Sequence, residues 1–185
     1  MEADALLKTR RSVRRYRQED IPRETLCEIA DVARYAPSGG NVQKWEIIVV
    51  DEPEMCEQVY ATLSWLPSIG APAEGERPVA YMVVLGGKDP AVANMASLVS
   101  YILLAAHERG IGSCWFGSIR RAQLAAELNI PEDRSICFVV SLGYPEEEFE
   151  VYENSDSISV EKKDGVTLVP KKALNDIIHQ NSYGE

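Results

Sequence analysis

The sequence AVANMASLVSYILLAAHERGIGSCWFG, residues 91–117, predicts a long helix followed at once by a short strand. Apolar or small side chains fill most positions of residues 91–109, so this helix is apolar on nearly every side. Gly110 is a suitable C-cap residue, and residues 113–116 form the predicted strand. A helix of this kind must be covered over most of its surface. Either its own domain or a partner subunit can supply that cover, and the sequence leaves both open.

The segments on either side of this helix predict a single α+β domain over residues 1–185. Helices and buried strands alternate without a strict βαβ repeat, which argues against a doubly wound parallel sheet. Loops are predicted over residues 64–78 and 145–150, and Asp164-Gly165 within residues 157–169 indicates a hairpin. The other predicted helices cover residues 3–9, 54–63, 120–129 and 170–180, with one more running from Pro22 to about Ala36, and the other predicted strands cover residues 45–50, 79–85 and 136–142.

The charge balance narrows the classes of partner. The chain carries 29 acidic and 19 basic residues in 185, a formal net charge of −10, so nucleic acid and anionic membranes meet general repulsion. The four cysteines show no metal-binding spacing, and we expect no metal site. The N-terminus has no apolar stretch typical of a secretory signal, so we expect a cytoplasmic protein. Polar residues interrupt residues 90–107, which favours a buried helix over a membrane span.

An arginine-rich stretch stands out against this acidic background. Residues 10–17, RRSVRRYR, hold five of the 19 basic residues, and we call them the arginine segment. Crowded guanidinium groups repel one another unless an anion lies among them. The planar fork of arginine suits phosphate, and a serine hydroxyl can add a hydrogen bond. The alternative is a solvated basic stretch that pairs with acidic side chains of the protein.

Two further segments have the composition of a ligand site. Residues 36–45, APSGGNVQKW, combine small residues with amide side chains that suit the edge of a heterocycle, although a simple helix-to-strand turn fits as well. Residues 110–117, GIGSCWFG, lack the third glycine and preceding strand of a dinucleotide-binding fingerprint. Cys114 has no candidate base nearby in sequence, so a buried structural role is favoured over a nucleophilic one.

Taken together, these segments resemble the motifs of the nitroreductase family. RRSxR, APSxxNxQxW, GxGxxWxG and GYP occur in the family's order at residues 10–14, 36–45, 110–117 and 143–145. The resemblance covers essentially the whole chain. It implies a nitroreductase-like α+β fold with a central, mostly antiparallel sheet flanked by helices, in an intertwined homodimer that binds FMN.

The resemblance also assigns residues to the FMN. It implies that the arginine segment contacts the phosphate, ribityl chain or pyrimidine side, and that the segment at residues 36–45 reaches the flavin from the other subunit. The sequence departs from the family pattern at two places. Lys44 stands where many relatives have proline, and the stretch between residues 65 and 79 is shorter than in larger relatives. Trp65 in this stretch forms either the edge of a lid or an ordinary surface contact. The implied FMN-binding residues are Arg10, Arg11, Ser12, Arg14, Pro37, Ser38, Gly39, Asn41, Gln43, Cys114, Trp115, Phe116, Gly117, and Lys171 or Lys172.

For activity, the resemblance implies hydride transfer from NADH or NADPH to the flavin N5 and then to a small electron acceptor, such as a nitroaromatic or a quinone, by a ping-pong mechanism. The flavin carries the chemistry, so no catalytic side chain is required. Arg14 is the candidate for stabilising negative charge on the reduced ring. A non-catalytic redox sensor or flavin carrier, and a purely structural interaction protein, are the competing hypotheses.

Overall fold

A computed structural model describes residues 2–184, which form two compact units. The first unit consists of residues 2–64 and 72–146, and the second of residues 65–71 and 147–184. Each unit contains its own β-sheet. A single domain over residues 1–185 stays a prediction.

The sheet of the first unit is antiparallel throughout its described strands. Its order is β1-β5-β3-β2, and β4 also pairs with β5. The predicted strand at residues 45–50 has the same bounds in the structure, whereas the last strand extends further in both directions than residues 136–142. The strands are β1 Tyr16–Arg17, β2 Trp45–Val50, β3 Ala80–Gly87, β4 Gly112–Phe116 and β5 Arg134–Pro145.

Helices flank this sheet, which confirms the predicted α+β class. They are α1 Ala3–Thr9, α2 Arg23–Ala33, α3 Pro53–Ala61, α4 Val92–Glu108 and α5 Arg121–Glu127, close to the predicted bounds. Burial of apolar side chains is the main force that holds the helices to the sheet. The core joins α2 and α4 to strands β3 and β5 through Leu26, Ile29, Met82, Leu98, Ile102 and Val140, among others.

The long helix α4 is covered mainly by its own unit. Seven of its residues are buried, while Val92, Ala93 and Ser100 remain exposed. The helix ends as predicted, with Gly110 in the left-handed region at a φ of 72°. None of the helices within residues 2–184 has the length and apolar character needed to cross a bilayer.

The second unit contains the predicted hairpin. Strands β7 (Glu161–Lys163) and β8 (Val166–Lys171) flank Asp164 and Gly165, whose φ values of 51° and 89° suit a tight turn. Strand β6 (Glu148–Glu153) pairs in parallel with β8, which gives the order β6-β8-β7.

Two predictions of local structure were wrong in this region. Residues 145–150 were expected to form an acidic loop, but β6 begins at Glu148, because Phe149 and Val151 alternate with glutamates as in a strand. Residues 170–180 were expected to be helical, but Pro170 lies in β8, and only a short 3-10 turn, Leu174–Asp176, follows. A proline fits here because β7 reaches only to Leu168 on that side of β8.

Candidate functional site

The arginine segment is attached to the edge of the first sheet. Ser12 forms a parallel bridge with Ser113 of β4, and the Val13 backbone N–H donates to the Ser113 carbonyl at 2.9 Å. The chain then passes to β5, where β1 pairs with residues 144 and 145. The segment is therefore fixed to β4 at one end and to β5 at the other.

Two motif glycines make this attachment possible. A Cβ atom at Gly112 would lie 2.8–2.9 Å from three carbons of Val13, and one at Gly143 would lie 2.6–2.9 Å from three carbons of Tyr16. Val13 is only 4% exposed and Tyr16 is fully buried. The second glycine of the GxG motif and the single glycine of the GYP motif thus provide space for the two anchor side chains of the arginine segment.

The first two arginines of the segment have no acidic partner among the described residues. Arg10 is half-buried, and its Nη1 is a buried nitrogen without a hydrogen-bond partner. Arg11 donates from Nη1 to the Arg10 carbonyl at 2.6 Å. Burial, followed by the charge of Arg11, lowers the pKa of Arg10, and burial also lowers the pKa of Arg11. Two half-buried cations without a counter-charge form a site that an anion would stabilise.

His107, near the C-terminal end of α4, lies beside this pair. Its Nε2 is 2.9 Å from the Thr9 Oγ1, which immediately precedes Arg10 in the chain. Burial, followed by the charges of Arg10 and Arg11, lowers the pKa of His107. Sequence reasoning missed this histidine, because a contact between residues so distant along the chain leaves no local pattern.

The other arginines of the segment have protein partners. Arg14 donates from Nη1 to the Ser12 carbonyl at 3.1 Å. Arg15 forms an ion pair with Glu76 at 3.2 Å, and the Arg17 guanidinium lies 5.4 Å from the centroid of the Tyr144 ring. The positive charge that has no acidic partner is therefore concentrated at Arg10 and Arg11.

The second candidate segment, which we call the Ser38 turn, spans residues 37–43 and is mostly exposed. Gly40, Asn41 and Gln43 have positive φ values of 59°, 55° and 49°. The Gln43 backbone N–H donates to the Ser38 Oγ at 3.2 Å, and the Gln43 side chain donates to the Asn41 Oδ1 at 2.8 Å. These bonds hold an unusual left-handed backbone with its amide groups at the surface.

The Ser38 turn is fixed to the N-terminal end of α4. The Gly39 backbone N–H donates to the Asn94 Oδ1 at 3.0 Å. The arginine segment, by contrast, lies beside His107, thirteen residues further along the helix, which corresponds to about 20 Å at 1.5 Å per residue. One chain therefore holds the two candidate segments at opposite ends of α4.

Residues 114–117 lie at the end of β4 and beyond it. Cys114 and Phe116 are buried, Trp115 is half-buried, and Gly117 is exposed. The Trp115 ring packs edge-on against Phe138, with centroids 4.9 Å apart. The bridge between Ser12 and Ser113 places this strand beside the arginine pair.

Lys171 and Lys172 belong to the second unit. Lys171 ends β8, Lys172 follows it, and both are exposed. Their contact with a phosphate group stays a prediction.

The sheet and its edge define a class of α+β protein in which a basic segment packs against two glycines and carries its arginines along the sheet edge. Comparison with known proteins then identifies the family. The model of the Nitroreductase family matches residues 7–83 and 85–144, nearly all of the first unit, so the chain belongs to the Nitroreductase family. The resemblance stated from the four motifs is confirmed.

Individual relatives agree with this assignment. A putative NADH dehydrogenase/NAD(P)H nitroreductase from Archaeoglobus fulgidus is 34% identical over 170 residues, covering 85% of this chain and 93% of the relative. An iodotyrosine deiodinase from Thermotoga neapolitana is 27% identical over 83% of this chain and 94% of its own. Among solved structures, an FMN-dependent nitroreductase from Clostridium difficile R20291 has a TM-score of 0.75 at 26% identity, covering 97% of this chain and 99% of that one.

Proposed function

We propose that the protein is an FMN-dependent oxidoreductase that transfers reducing equivalents from NADH or NADPH to a small electron acceptor by a ping-pong mechanism. The observation that carries the proposal is the half-buried pair Arg10 and Arg11, which has no acidic partner among the described residues and includes a buried, unpartnered guanidinium nitrogen. The relatives named as NAD(P)H nitroreductases and as an FMN-dependent nitroreductase support the same reaction class.

The residues present suit FMN. Arg10 and Arg11 offer planar forks for its phosphate, and the Ser12 hydroxyl, on the same sheet edge, offers a further hydrogen bond. The exposed side-chain amides of Asn41 and Gln43 suit the polar edge of the ring, with Pro37, Ser38 and Gly39 beside them. Residues 114–117 would line the site next to Arg10, and Lys171 or Lys172 would add a cation.

FMN, when bound, supplies the two-electron chemistry between donor and acceptor. The contribution of the chain is to bind and orient. Arg14, on the fixed backbone between the anchors Val13 and Tyr16, would hold positive charge beside the pyrimidine side of the ring and so favour its reduced, negatively charged form. A dedicated catalytic acid is not required.

The proposal includes a homodimer with the FMN between two subunits. The arginine segment and the Ser38 turn lie at opposite ends of α4 in one chain, so the turn of a second copy would complete the site at the arginine segment. Exposed apolar side chains support such a partner. They include Val92 on α4, Leu7 on α1, and Leu174, Ile177 and Ile178 near the C-terminus.

The visible spectrum of the purified protein tests this proposal, before and after NADH or NADPH is added without oxygen. We expect a yellow flavin spectrum that bleaches rapidly with one or both nucleotides. A yellow protein that no nucleotide bleaches would instead indicate a sensor or flavin carrier. A colourless protein that takes up no FMN would refute the proposal and favour a structural role. The acceptor class then follows from reoxidation of the bleached protein with a nitroaromatic or a quinone.

A further inference from the structure

Beyond the arginines themselves, we infer that the buried hydroxyl of Tyr16 is a positioning group for the flavin site: it holds in place the backbone that carries Arg14 and Arg15. This inference rests on the proposed function. It adds a residue that contacts no flavin but fixes the residues that would.

The Tyr16 hydroxyl joins three parts of the chain. Its ring is fully buried, and its O–H donates to the Val13 carbonyl at 2.5 Å. The same oxygen lies 2.7 Å from the Oγ of Ser141 on β5, which is also fully buried. A phenol has one proton, so the Ser141 hydroxyl is the donor in the second bond. The Ser141 Oγ also lies 3.5 Å from the Cys114 carbonyl on β4.

This hydrogen-bond network links the two ends of a short stretch of backbone, residues 13–16, which we call the arc. The Val13 backbone is hydrogen-bonded to Ser113 of β4, and Tyr16 is paired with Pro145 at the end of β5. Between these two points the chain changes strands, and only Arg14 and Arg15 lie between the ends of the arc. The hydrogen bond from Tyr16 to the Val13 carbonyl spans the arc and holds its ends together.

The arc has little other freedom. Val13 and Tyr16 occupy the space that a Cβ atom would need at Gly112 and Gly143, so both anchors pack closely against the strands. Without the hydroxyl, the Val13 carbonyl loses this partner, and relaxation of the backbone is directed outward, toward the guanidinium groups. A fully satisfied buried network of this kind enforces one conformation. The structure thus links a buried phenol to the placement of Arg14.

The test compares Tyr16→Phe with Thr62→Val. The control also removes a fully buried hydroxyl that donates to a backbone carbonyl, Val59 at 2.7 Å, but at the end of α3. For each protein, three quantities are measured: the Kd for FMN by quenching of flavin fluorescence, the midpoint potential of the bound flavin, and the Tm of the apoprotein.

For Tyr16→Phe we expect the Kd to rise by about tenfold, as for the loss of one buried hydrogen bond, and the midpoint potential to fall. Thr62→Val should lower the Tm without changing either flavin property. A Tyr16→Phe protein with a lower Tm but with wild-type Kd and potential would overturn the inference, since the hydroxyl would then be only structural.

A second variant covers the case in which Tyr16→Phe does not fold. Ser141→Ala removes the donor to Tyr16 but leaves the bond to Val13, so a smaller rise in Kd is expected, and an unchanged Kd would reject the positioning role. Failure of the proposed function is separable from both results, because the wild-type protein would then bind no FMN at all.

Discussion

Replacing Gly143 with alanine should displace the arginine segment without changing any of its arginines. The added Cβ would lie 2.6–2.9 Å from three carbons of the buried Tyr16 side chain, whereas carbon atoms in favourable contact are about 3.5–4.0 Å apart. Tyr16 must therefore move by about 1 Å, and overpacking of this kind typically costs about 1–3 kcal/mol. Because β5 lies inside the sheet, the arginine segment on its edge is the part that can move.

The effect on FMN follows from that displacement. If FMN binds only when the arginine segment is in its wild-type position, binding must supply the free energy that moves the segment back. A cost of about 1–3 kcal/mol corresponds to FMN binding that is about 5-fold to 150-fold weaker. The assay is a fluorescence titration of the apoprotein with FMN, accompanied by urea unfolding. Gly87→Ala is the matched control, since an added Cβ there meets nothing within 4 Å. A Gly143→Ala protein that loses stability but keeps the wild-type Kd would refute the reasoning.

Three further predictions concern charge at the same site. Arg10→Ala should weaken FMN binding by about 10-fold or more, which is the value of a charge-assisted hydrogen bond. Riboflavin lacks the phosphate, so its binding should be unchanged. Equal losses of affinity for both ligands would contradict a phosphate contact. Arg14→Ala should lower the flavin midpoint potential or weaken FMN binding, and a flavin titration that shows neither would eliminate its charge-stabilising role. The pKa of His107 is lowered on folding, so its contribution to apoprotein stability is present above its unfolded pKa, about 6.5, and is lost as the pH falls through the folded value. His107→Gln should therefore flatten this part of the curve of Tm against pH. An unchanged slope would count against this role of His107.

The sequence was most informative where structure depends on local pattern. The β-branched run at residues 45–50 forms a strand with the predicted bounds, and the Asp164-Gly165 pair forms the predicted hairpin turn. Both signals depend on residues adjacent in the chain, so no tertiary information was needed. The helix predicted at residues 170–180 failed because Pro170, which suits a helix N-terminus, equally suits a strand edge that lacks a partner.

The candidate site shows the same difference between local patterns, which the sequence reveals, and contacts between distant segments, which it does not. The excess of arginine at residues 10–17 is visible in the sequence, and it predicts an anionic ligand without any structure. The reason for Gly112 and Gly143 was not visible, because the side chains that they accommodate, Val13 and Tyr16, come from a distant part of the chain. The contact between His107 and Thr9 is hidden in the same way.

The central claim is that the arginine segment of one subunit and the Ser38 turn of another hold the same FMN. Two differently tagged variants test it directly: Arg10→Glu, which reverses the charge, and Gly39→Glu, each expected to be free of flavin when expressed alone. They are co-expressed, and the doubly tagged heterodimer is purified. In a two-fold symmetric dimer with shared sites, both lesions fall in one site and the other site is intact, so the heterodimer should contain about one FMN where the wild type contains two. A heterodimer that stays free of flavin would contradict the claim, because each site would then belong to a single chain.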